Sequence, residues 1–307
     1  MPIKVRPIAS ATALLMVSSL AGSVSAQYDT CTGNSGIEWN IQISGCTAAI
    51  QSGLWHGEGL ATAFNNRGNA YYHKRQYDRA IRDYDEAIRL NPKFAKAFNN
   101  RGSAYDDQGH YDRAIRDYDQ AIRLNPKYAN ALYNRGLTYY RKRQYDRAIK
   151  DYDEAIRLDS KYASAFNNRG LAYNYKGQYD RAIQDYNETI RLDRNDASAF
   201  NNRCWARAMA GQLDRALEDC NESLRLRPNH PTTIISRGLV HLKLGEIDMA
   251  IADYDAATKL NPKAASSLYG RGVAKNKKQS GSGDADLAAA KALNASIAET
   301  FAAYGVK

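Results

Sequence analysis

The phrase Phe64-Asn65-Asn66-Arg67-Gly68 returns in related form at residues 98–102, 132–136, 166–170, 200–204, 234–238 and 268–272, each copy 34 residues after the last. A chain that repeats at this period does not build one core per domain. Each unit is a single supersecondary element whose apolar face is covered only when the next unit stacks on it. Length alone, 307 residues, suggests about two globular domains. The repeat replaces that expectation with one elongated array.

Within the second copy, Phe98, Gly102, Tyr105, Ala114, Tyr118, Ala121 and Pro126 follow one another at spacings suited to an antiparallel helix pair. Gly102 and Ala114 lack bulk where the two helices cross, and Phe98, Tyr105, Tyr111 and Tyr118 fill the space on either side. Asn125-Pro126 ends the second helix, because proline cannot continue it and disfavours helical geometry in the residue before.

These residues in this order resemble the tetratricopeptide repeat over residues 61–298. The resemblance implies an all-α fold, a right-handed superhelical solenoid of about seven helix-turn-helix repeats at 61–94, 95–128, 129–162, 163–196, 197–230, 231–264 and 265–298. Residues 27–60 form an N-terminal extension that caps the first repeat, with a short helix around Ser44 to Ser52. A C-terminal capping helix is expected from about Asp284 to Ala303, with residues 299–307 as a tail. Trp39 and Trp55 either pack over the open end of the array or form a docking surface. Ser160 and Arg194 replace the closing proline in two repeats, so those junctions are expected to be less rigidly set.

Two charged columns recur. Arg67, Arg101, Arg135, Arg169, Arg203, Arg237 and Arg271 stand where many relatives carry leucine, and Asp83, Asp117, Asp151, Asp185, Asp219 and Asp253 lie sixteen residues after the first six. In an antiparallel hairpin they face each other, as a partly buried pair that fixes helix orientation rather than a ligand site. In the fifth repeat Cys204 and Cys220 replace the glycine and the second-helix tyrosine, two positions opposed across the same hairpin, which predicts an intra-repeat disulfide. Cys31 and Cys46 form the other close pair.

Paired cysteines suit an oxidising compartment, and the N-terminus agrees. Lys4 and Arg6 precede a modest apolar stretch from Ile8 to Leu20, and Val24-Ser25-Ala26 is a small-residue cleavage pattern. Residues 1–26 therefore read as a secretory signal peptide, too short and too rich in Ser and Ala for a membrane span of about 30 Å. Tyr28-Asp29-Thr30 before Cys31 is not the small apolar context of a lipid-modified cysteine. A periplasmic or secreted location follows. Removal of Lys4 and Arg6 leaves 41 basic against 33 acidic residues, a formal charge of +8.

The sequence offers no catalytic constellation and no cofactor or metal motif. His56, His73, His110, His230 and His241 are scattered without ligand spacing or a neighbouring nucleophile. The carboxylates recur with the repeat, so none is singled out as an acid or base. Basic charge and 22 tyrosines suit nucleic acid in principle. Thirteen of those tyrosines, however, occupy recurrent packing positions such as Tyr71, Tyr77 and Tyr84, and Arg82, Glu86 and Arg89 are spaced for ordinary surface ion pairs.

What remains is the inner wall made by the first helices, where the resemblance implies a groove for an extended peptide or a protein partner. Asn66, Asn69, Tyr72, Asn100, Tyr133, Asn134, Tyr140, Asn168, Tyr175, Asn202 and Trp205 are the expected partner-binding residues, with Asn65, Asn99, Asn167 and Asn201 beside them. The column Asn66, Asn100, Asn134, Asn168 and Asn202 resembles the asparagine ladder of family members such as the O-linked N-acetylglucosamine transferases. An amide both donates and accepts, so the ladder either holds a peptide backbone or bonds neighbouring repeats and sets curvature. It lapses at Ser236 and Gly270. Some relatives clamp a C-terminal carboxylate, but Asn65 and Asn134 stand where the clamp lysine and arginine would be. The sequence thus predicts a non-catalytic scaffold that binds a peptide or protein partner in the concave groove, in envelope assembly or as a chaperone-like holder. The alternative is a structural module attaching to acidic envelope or partner surfaces through its basic convex face.

Overall fold

Every repeat becomes a pair of helices. The computed structural model describes residues 30–31, 38–279 and 281–306, and the stretch read as a signal peptide lies outside them. The chain runs through α1 (Trp39–Gln51), α2 (Gly57–His73), α3 (Tyr77–Leu90), α4 (Ala95–Asp107), α5 (Tyr111–Leu124), α6 (Ala129–Arg141), α7 (Tyr145–Leu158) and α8 (Ala163–Tyr175). It continues through α9 (Tyr179–Leu192), α10 (Ala197–Met209), α11 (Leu213–Leu226), α12 (Pro231–Leu244), α13 (Ile247–Leu260), α14 (Ala265–Lys278), α15 (Asp284–Leu293) and α16 (Ile297–Ala303). No strand occurs among the described residues. No helix among them is long and apolar enough to cross a membrane.

The described residues fall into two compact units, one ending at Lys142 and one beginning at Arg143. In the first unit α2 packs on α3 and α4 on α5, while the first helices α2, α4 and α6 also touch in sequence. In the second unit the first helices α8, α10, α12 and α14 form such a row, with α9, α11 and α13 outside it. Most second helices bury an alanine early and a tyrosine four residues later, as Ala80 and Tyr84 do in α3 and Ala182 and Tyr186 in α9, while α11 has Cys220 in the tyrosine's place. The opposing glycine is a steric requirement. A Cβ on Gly102 would lie 2.8 Å from Cε1 of Tyr118, and one on Gly170 would lie 2.7 Å from Cε1 of Tyr186.

The repeat junctions share one backbone geometry with and without the proline. Asn91, followed by Pro92, ends α3 at φ −135 and ψ 90, and Asp159, followed by Ser160, ends α7 at φ −135 and ψ 95. The turn is the same without the proline because the Asn or Asp side chain makes it: Lys93 N donates to Asn91 Oδ1 at 3.0 Å, and Lys161 N to Asp159 Oδ1 at 2.9 Å.

The two ends of the array are closed differently. Cys31 and Cys46 are disulfide-bonded, and Ile50 and Trp55 pack against them and Ala63. Trp39 stacks on His73 at a centroid distance of 4.1 Å. At the other end the single capping helix expected from Asp284 to Ala303 is broken into α15 and α16. Asn294 leaves the helix at φ −149, and its Oδ1 accepts from Ser296 N at 3.1 Å and from Ser296 Oγ at 3.0 Å. This side-chain turn competes with helix continuation. Redirected by it, Ile297, Phe301 and Val306 join Leu239, Leu268 and Ala290 in the core of the second unit, so the expected tail is part of the fold.

Candidate functional site

The first helices owe their orientation to the arginine column. Arg101 donates from Nε and Nη2 to the two carboxylate oxygens of Asp117 at 2.8 and 2.7 Å, and its Nη1 reaches Asp85 of the preceding repeat at 2.6 Å. Arg169 repeats this with Asp185 and Asp153, and Arg203 with Asp219 and the amide oxygen of Asn187. Arg67 pairs with Asp83, Arg237 with Asp253, and Arg271 with Asp286. One guanidinium therefore ties its own second helix to that of its neighbour, and it lies over a phenylalanine ring in several repeats, as Arg101 does over Phe98. Burial pushes the carboxyls of Asp83, Asp117 and Asp185 upward in pKa even with arginine beside them, so these pairs orient the helices at a desolvation cost.

The asparagine ladder is engaged inside the array. Asn100 Nδ2 donates to Asn65 Oδ1 and to Asn69 Oδ1, both at 2.9 Å, and Asn134 Nδ2 donates to Asn99 Oδ1 at 3.0 Å. In the second unit Asn202 Nδ2 donates to Asn167 Oδ1 at 3.0 Å. Asn66 has no preceding repeat, and its amide donates to the Cys31 carbonyl of the N-terminal extension at 3.1 Å. Asn65 and Asn99 are buried within the array, and Asn201 is buried at the wall of the chamber described below. Asn69 also accepts the hydroxyl of Tyr84 at 2.8 Å, and Tyr72 donates to Asp107 at 2.7 Å. Tyr133 and Tyr140 are half-buried on α6, and Asn168 is half-buried on α8.

Three of the expected partner-binding residues are brought together. Tyr175, Asn202 and Trp205 line one chamber of about 570 Å³ in the second unit, with walls from α8, α10 and α12. Phe301 and Tyr304 of the C-terminal segment complete it, and Tyr304 meets the Trp205 ring edge-on at 4.7 Å. Tyr175 is 65% exposed at the rim, stacked on Tyr145. Sequence reasoning missed the contribution of Phe301 and Tyr304, which belong to no repeat. The lapse of the ladder at Gly270 was the available signal: a Cβ there would lie 2.2 Å from Cζ of Tyr254, another chamber residue.

Helix pairs recurring at a 34-residue period define a helical-repeat protein, a fold that supports a protein–protein interaction scaffold. The repeats match tetratricopeptide-repeat models over residues 61–94, 99–163 and 163–196, and a TPR-repeat model over 238–279. The chain belongs to the tetratricopeptide-repeat family, whose members are generally non-catalytic scaffolds.

Solved structures share the fold. A tetratricopeptide repeat protein from Parabacteroides merdae is 21% identical with a TM-score of 0.59, over 84% of this chain and 100% of that one. PilF of Pseudomonas aeruginosa is 18% identical with a TM-score of 0.61, over 67% of this chain and 94% of that one. YrrB, a TPR protein with an unusual peptide-binding site, is 23% identical with a TM-score of 0.53, over 61% of this chain and 96% of that one. A comparison with curated proteins finds no match.

Proposed function

We propose that this chain is an exported, non-catalytic scaffold that holds a peptide or protein partner against its first helices, a task suited to envelope assembly or to chaperone-like holding. The observation that carries this reading is the meeting of Tyr175, Asn202 and Trp205 at one chamber whose rim is open to solvent. Rigid aromatic side chains give contact area at low entropy cost, and amides beside them give polar specificity. The fold shared with YrrB, which has a peptide-binding site, agrees with it. Two disulfides agree with export. The alternative, attachment to acidic surfaces through the second helices, is less favoured, because Arg89, Arg157, Arg191 and Arg225 are each paired with a glutamate three residues before.

The test places a photocrosslinking residue at Tyr175 or at Arg191 and exposes each protein to the native exported fraction. Capture of one defined partner at position 175, unchanged by salt, is the expected result. Capture only at position 191, lost as ionic strength rises and screening shortens to about 8 Å, would transfer the function to the second-helix face.

A further inference from the structure

The ladder stops at Ser236, and the stop strands a buried oxygen. Asn134 and Asn202 each donate to the asparagine 35 residues earlier. The next donor in that series would be residue 236, but Ser236 Oγ turns to the Thr232 carbonyl at 3.0 Å. Asn201 Oδ1 is left without a hydrogen bond, although the residue is only 9% exposed. Tyr254 is fully buried and its hydroxyl is also unpartnered, since Leu239 stands where Asn69 takes the Tyr84 hydroxyl. Asn174 Oδ1 is the third such atom, its Nδ2 being committed to the Tyr186 hydroxyl at 2.9 Å.

All three residues line the same chamber. Buried polar atoms are nearly always paired, and a group of exceptions around one cavity marks a place where a ligand completes the pairing. The chemistry of that ligand is constrained. Both amide oxygens only accept, so it must donate. Among the described residues no charged side chain lines the chamber, so an ionic group would be desolvated without a counter-charge. Trp205, Phe301 and Tyr304 offer ring faces and edges to an aromatic guest. The volume, about 570 Å³, is in the range of side-chain and small-ligand sites.

We propose that the chamber binds an uncharged aromatic residue of an extended peptide, whose main-chain N–H donates to Asn201 Oδ1 while its ring lies among Trp205, Phe301 and Tyr304. This rests on the groove reading above and names what that groove selects. A main-chain carbonyl of the same peptide accepts from the Tyr254 hydroxyl. Loss of the ladder at Ser236 is then the feature that opens the site, and restoring it closes the site.

The test is a calorimetric titration of the full chain with the blocked tripeptide acetyl-Gly-Phe-Gly-amide, its Glu counterpart, and the Phe peptide N-methylated at the phenylalanine. Wild type is expected to bind the Phe peptide about tenfold or more tighter than the other two, the scale of one lost hydrogen bond. Ser236→Asn supplies Asn201 with the donor it lacks, so this variant is expected to melt no lower than wild type and to bind at least about tenfold more weakly. Tyr254→Phe, which removes only the unpaired hydroxyl, is expected to stay folded and to weaken binding as well. Absence of Phe-peptide binding to wild type, equal binding of the Glu or N-methyl peptide, or undiminished binding by a folded Ser236→Asn protein would overturn the proposal. If wild type fails to bind the Phe peptide while Tyr175 photocapture of a defined partner persists in wild type and in the Ser236→Asn protein, the chamber assignment falls and the groove reading stands.

Discussion

Cys204 and Cys220 are disulfide-bonded at the place where, one repeat earlier, Gly170 lies against the Tyr186 ring. The covalent bond and the glycine–tyrosine contact are alternative ways of holding the same helix crossing. Closing a loop with a sequence separation of 16 contributes about 3 kcal/mol in the chain-entropy model. The Cys204→Ala, Cys220→Ala double variant should therefore lose about 3 kcal/mol in urea unfolding. Cys204→Gly with Cys220→Tyr should recover part of that loss by restoring the packing of the other repeats. Equal destabilisation by both pairs of changes would show that the crossing depends on the bond alone.

Asp185 is nearly buried against Arg169, and removing one partner leaves the other charge in a desolvated place. Asp185→Ala should cost about 3 kcal/mol, whereas Arg169→Leu with Asp185→Leu should fall within about 1 kcal/mol of wild type. The half-exposed contact of Arg169 with Asp153 offsets little of the single loss, since such pairs are worth under about 1 kcal/mol. Urea unfolding of the two singles and the double checks this. Simple additivity would mean that the two side chains are energetically independent.

Most of the fold was legible because its contacts recur. Gly102 against Tyr118 and Arg101 against Asp117 are each one instance of a column, and a column five or six copies deep states its own geometry. What one repeat does to the next was harder to read. The reach of Arg101 to Asp85 and the burial of Asn65 and Asn99 depend on how neighbouring hairpins stack, which spacing within one copy does not encode. The ends were harder still. The turn at Asn294 and the return of Phe301 and Tyr304 to the first-helix wall occur once, so no period announces them. The chamber combines a lapse at Ser236 with that return, and only the lapse was visible in the sequence.

The proline-free junctions test whether the turn or the proline sets the repeat boundary. Asp159 and Asp193 adopt the extended backbone that Asn91 adopts before Pro92, at φ −135 and −136 against −135. That conformation is the one a following proline requires. Ser160→Pro and Arg194→Pro should each stabilise the chain by about 0.4–1 kcal/mol, by restricting the unfolded state. A loss of stability in either would mean that the junctions differ in ways their shared turn conceals.

The turns inside the repeats make the opposite case. Gly109 sits at φ 79 with nothing within 4 Å of a Cβ built on it, so only the backbone conformation demands glycine there. One repeat earlier the same place is held by Arg75 at φ 58, its N–H donating to the Tyr72 carbonyl at 2.8 Å. A non-glycine residue in this left-handed region costs roughly 1–2 kcal/mol, and glycine returns part of that gain through its greater freedom when unfolded. Arg75→Gly should accordingly raise stability by about 0.5 kcal/mol, while Gly109→Ala should lower it by about 1 kcal/mol. Urea unfolding of both variants measures the same backbone term with opposite signs. If Arg75→Gly were destabilising, the arginine side chain would have to contribute more at that turn than its strained backbone costs.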